Sequence, residues 1–179
     1  SIDDVIDSLI EVSNSSNDFF SNSFFKFLDT IHSKYNVKID LYCFYQKNIS
    51  NNLIRLNELS NKHEKIFVKN QWLRFGPHAL DTETAPYSQS PDKQIQIFDS
   101  IYKEIERFTG SSSKSRLVRL HFFSESFELS NYFCTKNVHS LFTTDKPAIS
   151  HRMNEKVKFE LNKFGHTMFN EICFVRSHF

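Results

Sequence analysis

An α/β fold with a mainly parallel sheet is what this chain predicts, and three observations carry the prediction. Segments with the period-two, β-branched and aromatic pattern of strands alternate with segments of helical period. No Asn-Gly or Asp-Gly turn joins neighbouring strands, so the connections read as helical crossovers rather than hairpins. No repeat, linker or low-complexity block divides the 179 residues, which read as one domain over 1–179, open to truncation at either end.

The opening Ser1-Ile2-Asp3-Asp4-Val5 reads as the end of a strand whose beginning lies upstream. In residues 23–35, Phe24, Phe27, Leu28 and Ile31 fall at helical spacing. Residues 37–45 alternate at period two and turn almost wholly apolar, as a strand entering a buried sheet does. A polar break at 48–52, a helix over 53–62 and a segment 65–68 follow. The stretch 72–78 is expected to be a strand ending at Gly76-Pro77, and 81–89 a loop. Ser90 and Pro91 then supply an N-cap and a proline at the first helical position. Ile97, Phe98, Ile101, Tyr102, Ile105 and Phe108 make an apolar stripe closed by Gly110. After a turn at 111–115 the pattern predicts a strand over 116–123, a helix over 125–136 and a strand over 139–143. A helix over 155–164 ending at Gly165 and a strand over 168–175 complete the chain.

Composition removes several function classes. Twenty-two basic residues against 21 acidic leave a formal charge of +1, too little for a nucleic-acid wrapper or a polybasic membrane binder. The mean hydropathy of −0.45 and the short apolar runs predict no membrane span, and the first twenty residues lack a signal-peptide layout. Three cysteines without a CxxC spacing disfavour a disulfide scaffold and point to a reducing, cytoplasmic setting. With three glycines, the chain contains neither GxGxxG nor GxxxxGK[ST], which leaves nucleotide binding without its usual loop. Twenty phenylalanines read mainly as core filling.

In a parallel α/β sheet, function gathers at the carboxyl ends of strands. Three predicted strand ends carry groups that bind metals or move protons: Asp3-Asp4, His78 and His121. Adjacent carboxylates at a strand end can face a metal and a substrate separately, although helix capping is the commoner use of an Asp there. His78 follows Gly-Pro, which is expected to set its imidazole at a mouth rather than in a core. His121, between Leu120 and Phe122, has the plain alternative of a core histidine with one hydrogen bond. Together they form a two-His, one-carboxylate set suited to a divalent ion with open positions, Zn²⁺ being the best fit.

These residues resemble a known family. Ser1-Ile2-Asp3-Asp4 is similar to the Thr-Phe-Asp-Asp signature of the polysaccharide deacetylases, carbohydrate esterase family four with the NodB-homology domain. Phe75-Gly76-Pro77-His78 resembles the strand-then-His element of that family's second motif, and Arg119-Leu120-His121 lies where its Arg-x-Pro motif is expected. The likeness covers most of the chain and looks closest to divergent members from bacterial surface-polysaccharide gene clusters. It implies a distorted (β/α) barrel with fewer than eight mainly parallel strands and a divalent metal at its top. Asp3 would be the general base, Asp4 and His78 metal ligands, and Arg119 the residue that orients the base. The chain departs from the pattern at Thr82, where the family has a second histidine. His121 is the inferred replacement, and the late general-acid histidine has only His178 as a candidate. Tyr45, Tyr87 and Phe123 could stack on sugar rings, though packing is their simpler role. The function implied is removal of an acetyl group from an N-acetylated sugar during surface-polysaccharide biosynthesis. The alternative is a barrel without turnover that binds carbohydrate or serves assembly.

Overall fold

The structure is a computed structural model that describes residues 1–144 and 153–177. Strand β1 (Ile39–Phe44) pairs in parallel with β4 (Leu73–Ala79). On the outer side of β1, Ile2 makes a parallel bridge to Leu41: its N–H donates to Asp40 O at 2.8 Å, and its carbonyl accepts from Tyr42 N at 2.9 Å. On the far side of β4, Phe75 bridges Lys114, just ahead of β5 (Leu117–Arg119). β5 pairs in parallel with β6 (Ser140–Thr143), and β6 with β8 (Ile172–Arg176), which carries β7 (His166–Phe169) antiparallel at its edge.

From Ile2 through β1, β4, β5 and β6 to β8, each parallel neighbour is the next parallel segment in the chain. The neighbour order thus advances in a single direction, without the reversal of a doubly wound sheet. Among the described residues the strands form open sheets. No helix among them is long and apolar enough to cross a membrane.

The two faces of β1 and β4 differ. Phe75 packs edge-on against Phe67 of α3 (Glu64–Lys69) and Phe108 of α4 (Pro91–Thr109), with ring centroids 5.2 and 5.9 Å apart. The opposite face carries Tyr42 beside Gly76, where an added Cβ would stand 3.1 Å from the Tyr42 ring and 3.6 Å from Val118. Only glycine lets the two strands and that ring approach so closely.

Helix α2 (Ser23–Tyr35) occupies the span its apolar spacing predicts, with Asn36 in the left-handed C-cap conformation. In α4 the Ser90 side chain accepts from Lys93 N, Pro91 takes the first position, and Gly110 ends the helix at φ 81°. α6 (Glu155–Phe164) ends at Gly165, φ 76°. α1 (Ile6–Asn14) and α5 (Phe127–Thr135) complete the helices of the described residues.

Several expectations are corrected. The polar break at 48–52 is the turn of a hairpin between β2 (Gln46–Ile49) and β3 (Asn52–Arg55), with Ser50 and Asn51 both at positive φ as a two-residue turn requires. The helix expected over 53–62 is therefore β3 followed by a single 3₁₀ turn, Leu56–Glu58. The strand expected over 168–175 is a second hairpin, β7 to β8, turning at Asn170 with φ 43°. The strand expected over 116–123 stops at Arg119, because Phe122 and Phe123 adopt left-handed φ of 52° and 49°.

Candidate metal centre

His78 owes its position to a bulge. Cys43 pairs with Pro77 and Phe44 with Ala79, so His78 is the extra residue on β4, beside a proline that has no N–H to give the ladder. β4 thus runs through Gly76-Pro77 rather than ending there. The imidazole is 2 % exposed, not at an open mouth as expected. Phe44 packs edge-on against it, with ring centroids 5.0 Å apart.

The carbonyls around the two histidines decide where their protons sit. His78 Nδ1–H donates to Arg119 O at 2.7 Å, which leaves Nε2 as the bare nitrogen. His121 Nε2–H donates to Thr82 O at 3.2 Å, which leaves Nδ1 bare. Those two bare nitrogens face each other at 3.2 Å, and Asp4 Oδ1 lies 3.7 Å from His78 Nε2. The three ligand atoms all lie within 4.8 Å of one another.

Two lone pairs aimed at one another beside a carboxylate repel unless a cation stands between them. Nitrogens bound tetrahedrally to one zinc at about 2.0–2.1 Å are about 3.3 Å apart, so the residues present fit a divalent ion. The carbonyl behind each imidazole is the usual outer partner of a metal-bound histidine. Burial, the largest influence, pushes the His78 pKa down, and nearby His121 adds to this. The Arg119 carbonyl and the charges of Asp3 and Asp4 oppose it. The resulting neutral imidazole is the form that binds metal.

The paired carboxylates separate as a strand end allows, but through a turn. Asp4 takes φ 60°, a left-handed value that Asp tolerates, and swings toward His78 while Asp3 stays against the sheet. Asp3 Oδ2 pairs with Arg119 Nη1 at 3.1 Å, and Asp3 Oδ1 is buried without a hydrogen-bond partner. Neither carboxylate caps α1, whose N-cap is Val5 with no side-chain bond. The Arg119 guanidinium also lies over the Phe123 ring, 5.1 Å from its centroid. Phe123 therefore packs on the arginine.

His121 sits in the 3₁₀ turn just past β5, part-buried, with Phe44 edge-on at 5.0 Å and Phe122 at 4.0 Å. Thr82, where the resemblance leads one to expect a second histidine, meets His121 through its backbone carbonyl. His178 lies outside the described residues.

Two site residues were not singled out from the sequence. Glu125, 1 % exposed, accepts from Leu120 N at 2.8 Å through Oε1, while Oε2 is buried without a partner. Burial pushes its pKa up to about 8, with the charge of Asp3 adding to the rise and the Leu120 N–H and Arg119 opposing it. Tyr42, whose hydroxyl is also buried and unpartnered, has its pKa raised by burial, then by the charges of Asp40 and Asp3. In one dimension Glu125 is an unremarkable acid between two serines, and Tyr42 one aromatic of a strand. Compared with protein-family models, with curated proteins and with solved structures, the chain matches none.

Proposed function

We propose that this chain is a metal-dependent hydrolase of the polysaccharide-deacetylase type, acting on an acetylated sugar of a surface polysaccharide, with Asp4, His78 and His121 as the ligands of a divalent ion, zinc by preference. One observation carries the reading: two imidazoles, each fixed by a backbone carbonyl, present bare nitrogens to each other at 3.2 Å beside a carboxylate. The serial order of the parallel strands supports the distorted-barrel architecture that the resemblance implies.

A divalent ion held there supplies Lewis acidity toward an acyl carbonyl and makes nearby water more acidic. Asp3 is the base in this reading. Its Oδ2 is anchored on Arg119 at 3.1 Å, which fixes the direction of the carboxylate. Its Oδ1 has no protein partner and is the atom left to take a proton. Phe123 packs against the guanidinium and Phe44 edge-on against both imidazoles, holding the donor set in place.

The second reading, a carbohydrate-binding or assembly component without turnover, is favoured by one feature. Thr82 replaces the family's second histidine, and no residue described here takes the part of the late acid. Metal analysis of protein purified without chelator, together with acetate release from a panel of N- and O-acetylated sugars, tests both. The hydrolase reading expects stoichiometric metal, lost in Asp4→Ala and His78→Ala, and acetate release that falls about 10²–10⁴-fold in Asp3→Asn with the metal retained. Bound metal without acetate release from any sugar favours the binding component. Absence of metal under zinc-replete conditions overturns the metal reading.

A further inference from the structure

A polar cleft of about 530 Å³ lies at the other end of β5 from His121, where Arg116 leads into the strand. Its walls come from the C-terminal half of α4, the segment 111–116 and the residues that end α5. The volume falls in the range of small-molecule sites, but the lining is polar rather than apolar.

Its charge is unbalanced. Lys103, Lys114, Arg116 and Lys136 converge on it against two carboxylates, Asp99 and Glu106. Both carboxylates are already engaged. Lys136 Nζ lies 2.6 Å from Asp99 Oδ1, which also accepts from the Tyr132 hydroxyl at 3.1 Å, and Lys114 Nζ lies 2.7 Å from Glu106 Oε1. Lys103 and Arg116 have no ion-pair partner among the described residues. A chain of formal charge +1 thus holds two uncompensated positive charges in one cleft.

Cations commonly gather at helix C-termini to offset the macrodipole, and that suffices for Lys136 just past α5. It does not cover Arg116, which belongs to no helix, or Lys103, which stands more than a turn inside the end of α4. Ser111, Ser112 and Asn137 add side-chain donors that make no internal hydrogen bond among the described residues. The Tyr102 hydroxyl, in the same wall, is buried and unpartnered. The Tyr102 ring is 3 % exposed, so the cleft has cations and hydroxyls but no open aromatic surface on which a nucleobase could stack.

From this arrangement we infer that the cleft binds a phosphomonoester dianion carried on a polar, hydroxyl-rich body, with Arg116 and Lys103 as its principal charge partners. Arg116 supplies a planar fork matched to phosphate oxygens, and Lys103 supplies a point charge. The site is independent of the metal centre and does not rest on the proposed hydrolase activity.

The test titrates the full chain with inorganic phosphate and, separately, with glucose 6-phosphate. Chelator is present so that no metal can capture the anion, and sodium chloride is matched for ionic strength. Amide NMR shifts and thermal stability are read. Saturable shifts confined to residues 99–106, 111–116 and 135–137 are expected. Glucose 6-phosphate should bind more tightly than inorganic phosphate, and Arg116→Gln should weaken it about tenfold. Arg116 and Lys103 are both exposed, so Lys103→Gln is a second variant that leaves the fold intact and should weaken binding as well. Shifts that chloride reproduces, that fail to saturate, or that survive in both variants overturn the proposal. Tighter binding of inorganic phosphate than of the ester would overturn the hydroxyl-rich body.

Discussion

At the residue scale, the directions of two imidazole protons matter more than the presence of two histidines. Replacing His121 by Gln keeps a side chain of comparable reach but removes the bare nitrogen, so metal affinity should fall about 10–100-fold or more by equilibrium dialysis while the protein stays folded. Unchanged affinity would remove His121 from the ligand set. Glu125 makes a different prediction. Its folded pKa, about 8, stands above the ordinary glutamate value of 4.5, so between those values the unfolded chain releases this proton first and stability falls as pH rises. Below 4.5 both states hold the proton and the penalty is absent. Glu125→Gln should therefore flatten a loss of a few kcal/mol between about pH 5 and 8, measured by denaturant unfolding at each pH. A variant as pH-sensitive as the parent in that window would contradict it. Asp3, Asp4, His78 and His121 could be picked out from the sequence because each is a chemistry-bearing residue at a predicted strand end, and Arg119 because the family resemblance points to it. Glu125 could not be, because its role comes from burial, and nothing in Ser124-Glu125-Ser126 announces burial.

Among the elements, those with punctuation were readable. Helix α4 carries its signals in sequence, Ser90 and Pro91 at one end and Gly110 at the other, and the structure places it between them. Ser90→Ala should cost about 1 kcal/mol in chemical denaturation, since the Lys93 N–H loses its acceptor. No loss would show that the cap contributes nothing. The two hairpins were not readable, because their turns use Ser50-Asn51 and Asn170-Glu171 without a glycine. Asn51 and Asn170 take positive φ as Asn readily does, whereas Ser50 is held there by the strand pairing itself. The bulge that makes His78 the extra residue on β4 is likewise set by pairing with β1. Gly76 sits just below it, and Gly76→Ala forces the Tyr42 ring to move from a contact of 3.1 Å. A loss of about 1–3 kcal/mol, with the Tyr42 environment changed in near-ultraviolet circular dichroism, is expected.

Over the whole molecule, the α/β class followed from alternation of periods, and the serial order of parallel neighbours is consistent with strands that advance in one direction. That order brings the carboxyl ends of the Ile2 segment, β4 and β5 to one side, where Asp4, His78 and His121 meet. The other end of β5 carries the cationic cleft. Long-range pairing sets this arrangement, and a one-dimensional pattern does not encode the neighbour of each strand. Whether the three side chains share one cation can be read from X-ray absorption at the zinc edge of the zinc-loaded full chain. A shared zinc gives a first shell of nitrogen and oxygen at about 2.0–2.1 Å with the outer-shell scattering of two imidazoles, reduced to one in His121→Gln. A spectrum without imidazole scattering, or one that His121→Gln leaves unaltered, would contradict it.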